Sequence, residues 1–264
     1  MGSLKGSPGV TTTSVGLAAG WPSGGHPVVV ECDPAGGDLL ARFRLEAGSG
    51  VVSLAAAARH RAGPGLVWQH TQRLPGGLPV AAGPVGAEQA RTSLAQLTRR
   101  GSEVLRWAAN RPGTVVIADC GRLDPDSPAW KVIEGADALL LLSGAYDDAL
   151  AHVATRWPAT ASRVPRACFV LVGDGYPTDE VVRELDIAVT ARLPHDPKGA
   201  ALLGGRPGRR TTPSRTPLGR ALAELADTVA SFTLSAAQEQ TTALRIQQTE
   251  HRTDPRPSWS EVSR

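Results

Sequence analysis

The sequence predicts a doubly wound α/β domain, with a mostly parallel sheet and helices on both faces. Six short apolar runs rich in β-branched residues alternate with longer segments of helical spacing. Several runs are continuously apolar, which is typical of strands covered by helices on both faces. Two runs end in acidic residues, and a glycine-rich stretch opens the chain. Because ligands of such sheets bind at the carboxyl ends of the strands, these features also predict where a site lies.

The elements follow from these runs in order. The predicted strands are 26–32, 77–82, 113–119, 137–143, 167–173 and 187–193. The predicted helices are 11–20, 51–60, 86–109, 146–157, 178–185 and 217–233. We expect residues 1–233 to form one nucleotide-binding domain, and the polar stretch 234–264 to be a disordered tail with few apolar anchors.

Composition is that of a water-soluble globular protein. Of the 264 residues, 41% are hydrophobic and 20% are charged, with a formal net charge of +3. No stretch reaches the roughly 18–20 apolar residues of a membrane helix. The three cysteines form no CxxC pair, which favours buried, reduced thiols. We therefore expect a cytoplasmic protein without a transmembrane segment.

The stretch KGSPGVTTT (5–13) has the composition of a phosphate-binding loop. Glycines let the backbone wrap closely around an anion, and the amides at a helix start donate to it. Hydroxyl groups in such a loop bind Mg²⁺. The strict pattern G-x-x-x-x-G-K-[ST] nevertheless fails, because Val10 stands where the lysine belongs. Taken alone, the stretch is also compatible with an ordinary Gly/Ser-rich turn.

Two acidic strand ends favour the phosphate loop. PVVVECDPAGGD (27–38) delivers Glu31 and Asp33, and GTVVIADCG (113–121) delivers Asp119. Carboxylates beside an anion loop are expected where Mg²⁺ and an attacking water must be held. Helix or turn capping is the simpler explanation of the same aspartates, and for Asp38 we expect an N-cap.

Together these stretches resemble the ParA/MinD-like P-loop NTPases, whose deviant Walker A motif has the form K-G-G-x-G-K-[ST]-[ST]. Residues 5–12 align with this motif without gaps. Residues 27–43 resemble the second aspartate motif of the family, and 113–121 resemble its Walker B strand. Stretches 136–150 and 193–205 resemble later parts of the fold, so the likeness covers about residues 4–233 in order.

The resemblance implies a role for each residue of the site. Lys5, as the signature lysine, would reach across a dimer to the partner's phosphates, and Asp33 would orient the catalytic water. Mg²⁺ would be held by Thr11 and Asp119, with Glu31 in its outer shell. ATP would be contacted by residues of the loop, namely Gly6, Ser7, Gly9, Val10, Thr11 and Thr12.

Two departures from the family pattern change the expectation. Val10 removes a charge-assisted hydrogen bond worth roughly 1.5–3 kcal/mol, so we expect weak or lost hydrolysis, with ATP and Mg²⁺ still bound. Only four residues precede Lys5, too few for the central strand that feeds the loop. We expect either a true start upstream of Met1 or a sheet whose first strand is missing or truncated.

The function implied is an adenine-nucleotide-responsive positioning or partitioning protein that dimerises over ATP and acts with a partner protein of a chromosome, plasmid, secretion or pilus system. A narrower likeness is to the TadZ/CpaE type. The alternative is a nucleotide-free pseudo-ATPase that serves as a structural adaptor. A metabolic P-loop enzyme is a third hypothesis.

A basic stretch lies near the end of the predicted domain. Residues 205–220 carry five arginines and no acid, and they are candidates for non-specific contact with DNA phosphates or anionic lipid. A solvated basic linker explains them equally, since no aromatic residues accompany the charges. The five are Arg206, Arg209, Arg210, Arg215 and Arg220.

Overall fold

In the part of the chain that the structure describes, eight strands form the sheet. The structure is a computed structural model. The structure describes residues 1–60, 63–99, 103–206 and 212–232. The strands are β1 (Gly2–Ser3), β2 (His26–Glu31), β3 (Gln72–Arg73), β4 (Pro79–Ala81), β5 (Thr114–Asp119), β6 (Leu139–Ala145), β7 (Ala167–Gly175) and β8 (Val189–Leu193). They form two four-stranded arrays, β3-β4-β2-β5 and β1-β6-β7-β8, in which only the β3–β4 pair is antiparallel.

Helices connect the strands, as expected for parallel crossovers. They are α1 (Val10–Ala19), α2 (Leu39–Phe43), α3 (Val51–Ala58), α4 (Leu66–Gln69), α5 (Ala87–Leu97), α6 (Glu103–Ala109), α7 (Trp130–Ile133), α8 (Asp147–Ala161), α9 (Thr178–Leu185), α10 (Pro197–Leu203) and α11 (217–232). The doubly wound α/β class predicted from the sequence is confirmed.

The chain divides into two compact units, Met1–Asp227 and Thr228–Arg264. In the second unit the structure describes residues 228–232, which are helical. The tail predicted at 234–264 lies outside the described residues. Within the described part of the chain, the helices include none that is both long and apolar enough to cross a membrane.

The first strand is present but only two residues long, which agrees with the prediction of a missing or truncated first strand. The backbone of residues 1–3 runs beside residues 118–123 in a parallel ladder: the Met1 amino group donates to Ala118 O at 2.7 Å, and Ser3 N–H donates to Gly121 O at 3.0 Å. Gly2 and Ser3 also pair with β6. β1 therefore joins the two arrays side by side, because both neighbours supply it with hydrogen bonds.

The single helix predicted over 86–109 is instead two helices, α5 and α6. α5 ends at Leu97, where the Thr98 hydroxyl donates to Leu94 O at 2.8 Å. α6 begins at Glu103. The apolar periodicity of the whole stretch was real, but it belonged to two helices that both bury one face.

The core lies between the sheet and the helices. Phe169, Leu141 and Leu54 are fully buried members of one continuous apolar cluster. α1 packs against β2 and β5, while α8 packs against β6. On the last crossover, Asp196 caps α10 by accepting from Gly199 N–H at 2.8 Å, and it also accepts from Leu218 N–H at 3.1 Å. These contacts place the carboxyl ends of the central strands at one edge, beside the start of α1.

Candidate functional site

Three segments meet at the carboxyl edge of the sheet. The glycine-rich loop follows β1, a second loop (32–38) follows β2, and a third turn follows β5. β2 and β5 are paired in register with Glu31 beside Asp119, and β1 lies against the end of β5. The structure therefore brings the predicted loop and the predicted acidic residues together.

The loop has the backbone that an anion site requires. Gly6 and Gly9 have φ angles of +67° and +90°, a region that residues with a Cβ rarely adopt. Gly9 is the N-cap of α1, and the first helical hydrogen bond runs from Thr13 N–H to Gly9 O at 2.8 Å. The amides of Val10, Thr11 and Thr12 therefore lack helical acceptors, as at any helix start.

The two cation positions of the loop differ from each other. Lys5 is exposed and, in the part of the chain that the structure describes, its ammonium has neither a hydrogen bond nor an ion pair. Val10 is 6% exposed and packs as an apolar residue at the first position of α1. The loop thus offers amides, hydroxyls and one exposed lysine, Lys5. The position of the second lysine is occupied by Val10, whose side chain belongs to the apolar core.

Asp119 is a fully buried carboxylate with an unsatisfied oxygen. Its Oδ1 accepts from Gly121 N–H at 3.2 Å, whereas Oδ2 has no hydrogen-bond partner of normal geometry among the described residues. Burial raises the pKa of this carboxyl, and the Thr11 hydroxyl and the Gly121 amide oppose that rise. An orphaned buried oxygen next to a loop hydroxyl is a ready ligand for a cation.

Asp33 lies directly against the turn that follows β5. A Cβ at Gly121 would stand 1.9 Å from Asp33 Oδ2, so only glycine fits there. Asp33 Oδ1 accepts from Ala35 N–H at 2.7 Å, which closes a tight turn. Burial raises the pKa of Asp33, and the neighbouring charge of Asp119 adds to that rise. The two aspartates therefore share one small acidic region beside the loop.

Glu31 has a structural role that the sequence did not indicate. Its Oε1 accepts from Asp38 N–H at 2.8 Å and Leu39 N–H at 3.0 Å, and its Oε2 accepts from Gly83 N–H at 2.8 Å. Burial raises its pKa to about 7 despite these three donors. Both oxygens are thus occupied by backbone amides, and Glu31 clamps the loop after β2 to the end of β4. Its outer-shell role stays a prediction.

Replacing Glu31 by Gln tests this clamp. The amide nitrogen of Gln would face the Gly83 N–H, so one buried donor would lose its acceptor; we expect a loss of about 1–3 kcal/mol of unfolding free energy. Urea unfolding at pH 5, where Glu31 is already neutral in the folded protein and no buried charge is removed, measures this loss, with the exposed Glu46→Gln as the control variant. Unchanged stability together with weaker Mg²⁺-dependent nucleotide binding would instead favour the outer-shell role.

The residues present fit a magnesium nucleotide. Among the described residues there is no cluster of three or more His, Cys, Asp or Glu side chains that could hold a metal. Mg²⁺ in phosphate-binding proteins uses one or two protein ligands together with phosphate oxygens. The Thr11 hydroxyl and the orphaned oxygen of Asp119 provide that number, beside a loop in which a Cβ at Gly6 would meet nothing within 4 Å.

Two further residues of the site were missed by sequence reasoning. Gly121 is needed for the contact with Asp33, and its position two residues after Asp119 was the available signal. Arg42 donates from Nη1 to the Thr12 hydroxyl at 3.4 Å and pairs with Asp38. The i, i+4 spacing of Asp38 and Arg42 suits such a pair and is visible in the sequence, whereas the contact with the loop is not. Asp38 does occupy the N-cap of α2, yet its side chain makes no capping hydrogen bond.

The basic stretch is only partly described. Arg206, Arg215 and Arg220 are exposed, and Arg220 Nη1 donates to Arg215 O at 2.9 Å. Arg209 and Arg210 lie outside the described residues. Contact with DNA or lipid through these arginines remains a prediction.

Comparison with solved structures identifies the fold. A ParA family ATPase from Chlorobium tepidum TLS superposes with a TM-score of 0.68 at 16% identity, covering 85% of this chain and 96% of its own. The septum site-determining protein MinD from Pyrococcus horikoshii OT3, solved with Mg-ADP, gives 0.65 at 15% identity, covering 86% and 94%. The chain has the ParA/MinD-type P-loop fold, so the resemblance predicted from the sequence is confirmed at this level.

Sequence comparison adds no closer assignment. Neither a protein-family model nor a curated protein matches the chain. The fold is also shared by an enzyme of metabolism: cobyrinic acid a,c-diamide synthase from Mycobacterium smegmatis, solved with an ATP analogue and magnesium, has a TM-score of 0.58 at 17% identity, covering 87% of this chain and 93% of its own. The fold alone therefore does not choose among the uses of a P-loop.

Proposed function

We propose that the protein is an adenine-nucleotide-binding positioning or partitioning protein that dimerises over ATP and Mg²⁺ and hydrolyses ATP weakly or not at all. One observation carries the proposal: the glycine loop opens α1 beside the buried Oδ2 of Asp119, which has no hydrogen-bond partner of normal geometry among the described residues. A buried carboxylate oxygen without a partner costs stability unless a ligand satisfies it.

Each residue has a defined part in this proposal. The amides of Gly6, Ser7, Gly9 and the first turn of α1 hold the phosphates, and Asp119 with the Thr11 hydroxyl holds Mg²⁺. Bound Mg²⁺ neutralises phosphate charge. Asp33 orients water at the acidic region that it shares with Asp119, and Lys5 extends from the loop towards the phosphates of the second protomer.

Weak hydrolysis follows from the absence of one charge. Stabilising the charge of phosphoryl transfer depends on cations fixed at the transferring group. Val10 is buried and apolar, so the loop supplies no such cation from this position. Binding depends mainly on the amides and the metal, and it survives. A partner protein binds the nucleotide-bound dimer and not the free monomer. This partner belongs to a chromosome, plasmid, secretion or pilus system.

Titration calorimetry of the full chain with ATP, with and without Mg²⁺, tests the proposal. We expect saturable binding that requires Mg²⁺, with turnover close to background in a parallel phosphate-release assay. GTP is the control ligand. No heat at millimolar ATP, with no change of oligomeric state, would overturn the switch and favour the nucleotide-free adaptor. Rapid ATP turnover would contradict the proposal that Val10 weakens hydrolysis.

A further inference from the structure

Arg42 brings a guanidinium group to the end of the loop. It lies on α2, and its Nη1 donates to the Thr12 hydroxyl at 3.4 Å. Its Nη2 forms an ion pair with Asp38, one helical turn earlier. The contact with Thr12 spans 30 residues of sequence and joins the segment after β2 to the loop after β1.

Apart from Arg42, the end of the loop near Thr12 has no positive charge from the loop itself. Val10 leaves the start of α1 without its own cation, and Lys5 is at the opposite end of the loop. The nearby carboxylates Asp33, Asp38 and Asp119 would oppose the approach of a nucleotide phosphate. Asp119 independently points to a ligand beside the same loop, because its fully buried Oδ2 has no hydrogen-bond partner of normal geometry among the described residues.

The present partner of Arg42 is easily exchanged. The side chains of Arg42 and Asp38 are 35% and 56% exposed, and an ion pair so exposed to water contributes at most about 1 kcal/mol. A guanidinium group has five N–H donors in a fixed fork that matches phosphate oxygens, and its hydrogen bonds to a charged acceptor are about twice as strong as neutral ones.

We propose that Arg42 is a phosphate-binding residue of this site, which supplies from α2 the positive charge that Val10 removed from the loop. In the free protein Asp38 holds it; when the triphosphate binds, the guanidinium exchanges Asp38 for phosphate oxygens next to Thr12. This inference rests on the proposed function, since it presupposes a nucleotide in the loop. The competing explanation is a surface pair that stabilises the short helix α2.

Calorimetric titration of the full chain with Mg²⁺ and ATP in about 0.15 M salt, where the screening length is about 8 Å, separates the two explanations. We expect Arg42→Gln to weaken binding at least about tenfold, because a charge-assisted hydrogen bond is lost. Arg42→Lys keeps the charge without the fork and should fall between the two. The matched control is Arg44→Gln, which removes the same charge from an exposed residue two positions along. It should change affinity less than about twofold, since long-range attraction is screened.

A double-substitution cycle shows whether Asp38 restrains Arg42. Asp38→Asn frees the guanidinium group and should tighten ATP binding about two- to fivefold, and this gain should vanish in the Arg42→Gln background. A gain that persists there would overturn the exchange with Asp38, because it would reflect only the removal of a negative charge. Thermal unfolding of every variant without ligand confirms that each is folded.

The outcomes distinguish this inference from the proposed function. If the unsubstituted chain binds ATP and Arg42→Gln binds equally well, Arg42 is only a surface pair and the inference is overturned alone. If the unsubstituted chain binds no nucleotide, the proposed function fails and the inference fails with it. Weaker binding by Arg42→Gln with normal binding by Arg44→Gln supports both.

Discussion

Asp119→Asn is expected to stabilise the protein without ligand while abolishing its stabilisation by Mg²⁺ and ATP. Asn keeps the acceptor for Gly121 N–H but removes the charge of an oxygen that has no hydrogen-bond partner among the described residues. A buried charge costs more free energy than a neutral amide in the same place, so we expect the variant without ligand to be more stable than the parent at pH 7. Ligand at 100 times its dissociation constant stabilises by about 2.7 kcal/mol, and the variant should lose this.

Urea unfolding at several pH values, with and without Mg²⁺ and ATP, measures both effects. The exposed Asp126→Asn is the control variant. Because burial raises the pKa of Asp119 above its ordinary 3.8, the folded protein loses stability as the pH rises from that value through the raised one. Asn should remove this part of the pH dependence. Equal stabilisation of variant and parent by Mg²⁺ and ATP would exclude Asp119 as the metal ligand.

Glu31 contributes to the same pH dependence between its own two pKa values. Its pKa is raised from 4.5 to about 7 by burial, so the stability that it contributes at low pH is lost as the pH rises between these values. Asp119→Asn should leave this window in place, and Glu31→Gln should remove it. The two substitutions together therefore assign the parts of the profile to particular side chains.

The strands were the most predictable part of the fold. The runs 139–142 in β6 and 168–171 in β7 are continuously apolar because both faces of a parallel sheet are buried, and that pattern is local. β1 was not predictable in this way. Its hydrogen bonds come from residues 118–123 and from β6, more than a hundred residues away in sequence, and no local pattern records them.

In the candidate site, too, features set by local sequence were predictable and features set by contacts between distant segments were not. Gly6, Gly9 and the acidic strand ends were found because loop chemistry and strand ends are visible in the sequence. The clamp formed by Glu31 and the contact of Arg42 with Thr12 depend on how distant segments pack. From the sequence, Glu31 was therefore interpreted as an outer-shell metal ligand, and Arg42 was not singled out. The family resemblance assigned roles by alignment, and it could not report which oxygens were already occupied by backbone amides.

Lys5→Ala is expected to abolish nucleotide-dependent dimerisation while leaving a folded monomer. Lys5 is exposed, and its side chain has no partner among the described residues, so its removal should cost the monomer little stability. In a dimer over ATP, the same lysine would meet phosphate in a site closed to water, where a charge-assisted hydrogen bond contributes about 1.5–3 kcal/mol. Two such contacts, one for each protomer, would weaken the dimer by two orders of magnitude or more.

Light scattering after size exclusion, with Mg²⁺ and ATP in the running buffer, measures this effect. The parent should elute at twice its monomer mass of 27.5 kDa, and Lys5→Ala at the monomer mass. Lys198→Ala removes the same charge from an exposed position on α10 and serves as the matched control. Because Arg42 lies at the other end of the loop, Arg42→Gln should weaken ATP binding itself, whereas Lys5→Ala should affect mainly assembly. A dimer that persists in Lys5→Ala would remove this lysine from the interface and leave Arg42 as the cation of the site.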